Sequence, residues 1–380
     1  MMNIGDELEV DVTAIAHGGH CVARNEGRVI FVRHTIPGER VKVRITELSK
    51  SFARADCIEV VSASADRIKP TCTYAHPGGC GGCDFQHIAP HRQRELKSLI
   101  IKEQFARLAK LDISVEVEEV LPALGWRSRM EFNINKKSRV AMFQARSNEL
   151  IEIESCKIAD PRISIEKINE MKLVPGEKFE VAVSGTGEVH YGDADRITYE
   201  ISGRSFAVSF GSFWQSHIAA PNLLTNIVTE FADYKESDHV LDLYAGVGIL
   251  TSPALSLIGP GGRLTLIEES ELAVSDSRWN YADQLNVHIK QGRVERQISE
   301  IHSCDVVVLD PPRAGAGAKV IGEIVRLAPR KIIYVACDPA ALARDAAELH
   351  ANSYRMEKLR AFDLFPMTQH IECVASFIKV

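Results

Sequence analysis

The stretch His239-Val240-Leu241-Asp242-Leu243-Tyr244-Ala245-Gly246-Val247-Gly248 sets the fold class. Mostly apolar residues run on without polar alternation and then enter a glycine turn, as a strand buried on both faces does when it ends at a bend that a ligand can approach. Four further segments read the same way: Arg263-Leu264-Thr265-Leu266-Ile267, Asp305-Val306-Val307-Val308-Leu309, Lys331-Ile332-Ile333-Tyr334-Val335 and Cys373-Val374-Ala375-Ser376-Phe377-Ile378. Helical stretches separate them, the first expected to begin near Ile249 or Leu250. The rhythm predicts an α/β unit over residues 213–380, a mostly parallel, doubly wound sheet. Ligands of such sheets sit outside the carboxyl ends of the strands, so the chemistry belongs there.

Those ends carry unusual residues. The second strand closes on Glu268-Glu269, a carboxylate about 20 residues past the turn, where an acid binds ribose hydroxyls. The turn lacks the third glycine of a dinucleotide site, so S-adenosylmethionine, which has no pyrophosphate to cradle, fits better. The third strand ends in Asp310-Pro311-Pro312-Arg313 and the fourth in Cys337-Asp338-Pro339. Amino-group methyltransferases follow an acid and two prolines with an aromatic residue that stacks the base, and Arg313 in that position disfavours amine methylation. A lone buried cysteine or a lone glutamate usually means packing or solvation. Cys337 at a strand end and Glu372 near the next strand instead offer what methylation at C5 of uracil needs, a thiolate to add at C6 and a base to remove the C5 proton.

Upstream the text changes. Residues 4–61 alternate in short runs, Leu8–Val12, Val29–Val32 and Val41–Ile45, punctuated by Gly18-Gly19, Gly27 and Pro37-Gly38, which predicts a small β-barrel over residues 1–62. A β-rich middle domain is expected over residues 63–212. It includes a helix over 90–111, with Leu96, Leu99, Ile100, Phe105 and Leu108 at helical spacing, expected to pack on the catalytic domain.

With 45% hydrophobic and 25% charged residues, the 380-residue chain is globular material rather than a disordered one. No apolar run approaches the roughly 20 residues of a membrane span and the start has no signal-peptide pattern, so a cytoplasmic protein is expected. A net charge of -6 gives no global attraction for a polyanion, so any nucleic-acid surface must be local. Between Trp126 and Arg146, six cationic residues face a single acid, Glu131, with Trp126, Phe132 and Phe143 interleaved. That text reads equally as an RNA surface or as a hairpin with buried aromatics.

Nine cysteines, an odd number without a secretion signal, point to metal or catalytic thiols rather than disulfides. Cys72, Cys80 and Cys83 are spaced C-x7-C-x2-C, with Cys156 far downstream. Four thiolates can hold a structural zinc or a 4Fe-4S cluster, and spacing alone does not choose, although one close pair with two singles leans away from zinc. Cys72 is the least secure ligand, with His76 a weak substitute. Cys21, Cys57, Cys304 and Cys373 read as packing residues.

Taken together, Phe213-Trp214-Gln215, Asp242-Leu243-Tyr244-Ala245-Gly246, Asp310-Pro311-Pro312-Arg313, Tyr334-Val335-Ala336-Cys337-Asp338-Pro339 and the Pro366–Glu372 segment resemble the RNA 5-methyluridine methyltransferase family. The resemblance spans nearly the whole chain: the N-terminal barrel is similar to a TRAM domain, an OB-like RNA-binding module, and Cys72–Cys83, with its C-G-G-C turn, to the family's iron-sulfur motif. It implies a Rossmann-like class I methyltransferase domain with Cys337 as nucleophile and Glu372 as base. Gln215, Tyr244, Glu268 and Asp310 would contact S-adenosylmethionine, and Cys72, Cys80, Cys83 and Cys156 would hold a 4Fe-4S cluster. Many members have an asparagine where this chain has Ile249, which puts a cofactor contact there in doubt. The family modifies transfer and ribosomal RNA, and the TRAM-like barrel with its cysteines favours ribosomal RNA as partner. The rival readings are a transfer RNA 5-methyluridine enzyme, a 5-methylcytidine RNA methyltransferase and, in another class, a non-catalytic RNA-binding protein that aids RNA folding. No second cysteine in a Pro-Cys motif supports the cytidine reading.

Overall fold

Alternation of small apolar and polar residues curls the N-terminal strands into a closed barrel. The computed structural model describes residues 2–192 and 195–380. β1 (Glu7–Ile15), β2 (Cys21–Asn25), β3 (Arg28–Arg33), β4 (Arg40–Leu48) and β5 (Phe52–Ser62) close in the order β1-β2-β3-β5-β4. Val12, Ala23, Ile30, Val32, Val41 and Ala53 fill the interior, out of contact with water. The chain leaving the barrel is pinned back onto it, because Arg67 Nε donates to the buried Glu39 carboxylate at 2.6 Å and Arg67 Nη2 donates to His34 O at 2.8 Å.

The expected long helix forms as α1 (Pro90–Gln104), started by a proline whose missing N–H costs nothing at that position, and continues as a wider turn over Phe105–Ala109. Its buried face differs from the expected one. Leu99 is 52% exposed, whereas Lys97 is fully buried, with Nζ 2.6 Å from Asp363 Oδ1 and 3.2 Å from Phe365 O. Leu96, Ile100, Ile101 and Phe105 share one core with the barrel and with the catalytic strands, so the helix joins the two. The short β6 (Val117–Glu119) follows.

A five-stranded sheet occupies the middle, built from β7 (Arg129–Ile134), β8 (Val140–Phe143), β9 (Leu150–Glu152), β10 (Lys178–Val183) and β11 (Val189–Tyr191), with α2 (Ile165–Asn169) between β9 and β10. The interleaved aromatics of the basic stretch are not a stacking platform here. Trp126 and Phe132 are buried and only Phe143 is exposed, while Arg129 spends its guanidinium on Tyr199 Oη and Ser212 O. The hairpin reading prevails, because strand alternation turns every second side chain inward. The hairpin of β12 (Arg196–Ile201) and β13 (Arg204–Ser209) packs in the core of the C-terminal sheet through Ile197, Tyr199, Phe206 and Val208.

After α3 (Ala220–Ala232) the chain lays down β14 (His239–Leu243), α4 (Ala254–Ile258), β15 (Arg263–Glu268), α5 (Glu271–Asn280), β16 (Val287–Gln291), α6 (Val294–Gln297), β17 (Val306–Leu309), α7 (Gly317–Leu327), β18 (Lys331–Ala336), α8 (Pro339–Ala351), β19 (Tyr354–Asp363) and β20 (Glu372–Lys379). The sheet order is β16-β15-β14-β17-β18-β20-β19-β6. β14 through β18 run parallel and β20 runs antiparallel to β18, pairing Ala336 with Cys373. That reversal brings the start of β20, Glu372, to the end of the sheet where β18 delivers Cys337. The helix expected to begin near Ile249 or Leu250 starts later: turns fill residues 249–253 and α4 begins at Ala254.

Candidate active site

The β14 turn is shaped by backbone conformations that few residues adopt. Tyr244 has φ +60°, Gly246 +54° and Gly248 +83°. At Gly248 a Cβ would lie 2.8 Å from Leu266 Cδ1 and 2.9 Å from Tyr281 Cε2, so only glycine lets the turn close against β15. Behind it Asp242 accepts from Thr251 Oγ1 at 2.6 Å, and burial pushes its carboxyl up to about 7. Glu268, at the end of β15, accepts from Gly246 N at 2.9 Å and from Ser270 N at 2.7 Å. Its carboxylate is thereby fixed beside the turn with lone pairs to spare. Ile249 lies in the apolar core and does not line the cavity.

A cavity of about 530 Å³ opens over these strand ends and gathers Gln215, Tyr244, Glu268, Asp310, Cys337 and Glu372. Six residues from six segments of sequence therefore meet in one place. Gln215 Nε2 donates to Asp310 Oδ2 at 3.2 Å. Burial pushes Asp310 up to about 7, opposed by that bond. Glu372, 3% exposed, is raised well above the ordinary carboxylate range by burial and then by the charge of Asp310. The Cys337 thiol is pushed up to about 12 by burial, Glu372 and Asp310, with Arg313 pulling the other way. An electron-rich cavity of this kind favours a cationic occupant, and a sulfonium with its amino group meets that demand. Glu268 beside a glycine turn suits ribose hydroxyls, so the residues present fit S-adenosylmethionine.

Phe213, Phe365 and His370 also line the cavity, without an individual role legible in the sequence. Phe213 is 68% exposed at its mouth. His370 is pulled down to about 4 by burial and by Arg313, so it is neutral and sits 3.4 Å from Arg313 Nη2. The loop carrying His370 and Glu372 is clamped by α1. Gln93, wholly buried, donates to Phe85 O at 3.1 Å and Ile88 O at 2.8 Å and accepts from Met367 N at 3.0 Å. Met367 holds a φ of +68°, unfavourable for a side chain with a Cβ, and its carbonyl accepts from Phe85 N at 3.0 Å.

A second cavity brings together Cys72, Cys80, Cys83 and Cys156, with Arg127 at its wall. The C-G-G-C turn docks on the end of β8, where Gly81 N donates to Phe143 O at 3.0 Å and a Cβ on Gly81 would lie 2.7 Å from Ala145 Cα. Glu154 N donates to Tyr74 Oη at 2.9 Å, which draws the Cys156 segment in. Among the described residues, no group of three or more His, Cys, Asp or Glu side chains is set to hold a single metal ion. Cys83 and Cys156 also pack against a small apolar cluster of Trp126, Ile158, Met367 and Phe365, of which Ile158 lines this cavity and Phe365 the active-site cavity. Cys21, Cys57, Cys304 and Cys373 are buried, as packing residues are.

Comparison with known proteins bears on this geometry. Residues 2–58 match the TRAM domain model and residues 195–380 match the model described as tRNA (Uracil-5-)-methyltransferase. An RNA methyltransferase of Streptomyces avermitilis is 39% identical, over 98% of this chain and 98% of its own. The chain belongs to the RNA uracil-C5 methyltransferase family. Another relative is the 23S rRNA (uracil(1939)-C(5))-methyltransferase RlmD of Alkalilimnicola ehrlichii, 30% identical over 98% of this chain and 96% of its own. The fold is that of a Pyrococcus abyssi tRNA (uracil-54, C5)-methyltransferase solved with S-adenosyl-L-homocysteine, with a TM-score of 0.78 over 97% of this chain and 99% of that one at 22% identity. Membership makes the sheet a class I, S-adenosylmethionine-dependent methyltransferase domain and the barrel a TRAM domain. No helix of the described residues is long and apolar enough to cross a membrane.

Proposed function

We propose that this protein methylates C5 of a uridine in ribosomal RNA through a covalent adduct between Cys337 and C6 of the base. The observation that carries the reading is the meeting of Cys337, Asp310 and Glu372 in one cavity beside the Tyr244–Gly246 turn. S-adenosylmethionine, when bound, supplies an electrophilic sulfonium methyl. Cys337 adds as thiolate to C6, and the electron pair of the C5–C6 double bond moves toward C4–O4, making C5 nucleophilic. C5 takes the methyl, Glu372 accepts the proton that C5 then carries, and the Sγ–C6 bond breaks to restore the double bond and the thiolate. Gln215 and Asp310 hold the base and the cofactor side in register, and Tyr244 and Glu268 hold the adenosine.

Burial, Glu372 and Asp310 push the Cys337 thiol up to about 12, and a cationic cofactor, whose charge offsets the two carboxylates, favours its thiolate. Ribosomal RNA is favoured over transfer RNA because a relative matched over nearly its whole length, at 30% identity, is named for 23S rRNA, whereas the transfer RNA enzyme shares the fold at 22% identity. The division proposed is a TRAM barrel over 1–62 for RNA, a middle domain over 63–212, and the chemistry over 213–380, in the cytoplasm. Cys72, Cys80, Cys83 and Cys156 are proposed to hold a 4Fe-4S cluster. A cubane spreads its thiolates over four irons, which suits four thiols around a cavity rather than around one point, and Arg127 offsets their charge. Its role is to brace the middle domain against the active-site loop; protein purified without air should carry about four irons per chain.

The test is incubation with labelled S-adenosylmethionine and unmodified 23S rRNA or transfer RNA transcripts, followed by nucleoside analysis. Label is expected in 5-methyluridine of the 23S transcript. Label in 5-methylcytidine, or in transfer RNA alone, overturns the assignment.

A further inference from the structure

Cys337 borders two cavities. Besides the active-site cavity, a smaller one of about 190 Å³ lies at the seam between barrel and catalytic sheet, lined by His17, Gly18, Asp338, Pro339 and Gln369 among others. Arg313, Cys337 and His370 line both. The barrel loop is pressed into this seam, since a Cβ on Gly19 would lie 2.4 Å from Gln369 Cβ. His17 Nε2 donates to Asp338 Oδ2 at 2.9 Å, joining the barrel to the residue after the nucleophile. The other oxygen of Asp338 accepts from Ala341 N at 2.8 Å, which fixes its carboxylate at the start of α8.

The covalent structure of uridine says what this cavity faces. C6 is bonded to N1, which carries the ribose, and C5 lies on the opposite side of C6. A base with C6 against Cys337 Sγ and C5 toward the cofactor turn therefore sends its ribose past Cys337, away from Tyr244 and Glu268. The seam cavity shares Cys337, Arg313 and His370 with the active-site cavity but neither Tyr244 nor Glu268, so it is the space next to Cys337 that the cofactor turn does not line. Resting on the function proposed above, we infer that the seam cavity receives the ribose and phosphate of the target uridine, with His17 and Asp338 reading its 2′-hydroxyl. That group donates and accepts at once. Asp338 accepts its O–H, and the Nε2–H of His17 turns from Asp338 to its oxygen. Arg313 has no carboxylate within ion-pair distance among the described residues, and the Gln369 amide has no hydrogen-bond partner among them, so both have donors for the phosphate. The barrel thus contributes a side chain to the reacting nucleotide's own site and selects ribose there.

The test uses the full chain and an RNA fragment spanning the uridine that the wild-type protein methylates on a 23S transcript, made with either ribose or 2′-deoxyribose at that one residue. For the wild type, the single deoxy substitution is expected to lower kcat/KM about tenfold, the scale of a lost hydrogen bond to a charged pair. His17→Ala is expected to lose a similar factor on the ribose substrate and almost nothing further on the deoxy substrate, while His17→Gln, which keeps an N–H donor, recovers part of the discrimination. An unchanged melting temperature in His17→Ala separates this from misfolding, and the ratio between the two substrates, measured on one protein, is insensitive to partial unfolding. Equal rates on both substrates for the wild type, or full deoxy discrimination retained in His17→Ala, overturns the inference. Failure to form 5-methyluridine on the ribose substrate would instead overturn the underlying function.

Discussion

The two cysteine-bearing cavities hold thiols driven the same way by different neighbours. Cys337 and Cys83 are each pushed up to about 12, chiefly by burial. Around Cys337 the next causes are the carboxylates Glu372 and Asp310, whereas around Cys83 they are a hydrogen bond to Gln86, which opposes the rise, and then Cys156, Cys80 and Cys72. A thiol among acids becomes a thiolate when a small organic cation enters. A thiol among thiols does so when metal enters. On the proposed function, one arrangement is a reaction site that its cofactor switches on, and the other is a brace that a cluster would complete. Cys83 and Cys156 pack against Trp126 and Met367 together with Phe365, so on the proposed reading the brace bears on the loop that carries Glu372.

The largest effect separating the two belongs to Cys337→Ala, expected to lower methylation by at least about 10⁴-fold, as for loss of a nucleophile, with iron content and melting temperature unchanged. Radiolabelled methyl transfer and iron assay read both outcomes. Cys83→Ser is expected to do the converse, losing most of the iron and several degrees of melting temperature while retaining measurable transfer; undiminished iron would remove Cys83 from the ligand set. The link between the regions is tested by Gln93→Leu, which strips partners from Met367 N and from two buried carbonyls. It should cost about 1–3 kcal/mol in urea unfolding and lower kcat more than KM. The smallest effect is electrostatic. Asp310, raised to about 7, ionises as the pH goes up through neutrality, so negative charge in the cavity grows. Binding of S-adenosylmethionine relative to its product S-adenosylhomocysteine, a zwitterion without the sulfonium charge, should therefore strengthen several-fold between about pH 6 and about pH 8 by calorimetry. A ratio that is flat or falls with pH contradicts this.

The C-terminal sheet is legible in sequence because each buried parallel strand is a continuous apolar run, and the residue after the run is by geometry at the ligand end. Asp310 and Cys337 follow from that rule alone. Glu372 follows less directly, since it begins a strand rather than ending one, and only the antiparallel turn of β20 brings it back. Lys97 and Gln93 are hidden because nothing local marks a buried lysine or glutamine on a helix; their partners Asp363 and Met367 lie more than 260 residues away. The stretch from Trp126 to Arg146 misleads for the opposite reason. Its composition suits RNA, but strand packing and the needs of Tyr199 and Ser212 turn Trp126, Phe132 and Arg129 inward. His17 carries no motif at all, and its meeting with Asp338 depends on how the barrel docks.

The proposed methyl transfer depends most directly on the bond between Cys337 and C6. Glu372→Gln, which can still add and methylate but not remove the C5 proton, should be incubated with S-adenosylmethionine and unmodified 23S rRNA, digested with protease and nuclease, and examined by mass spectrometry. A peptide containing Cys337 joined to a methylated uridine is the expected result. Stable methyl transfer with no such peptide, or an adduct on any other cysteine, would contradict it.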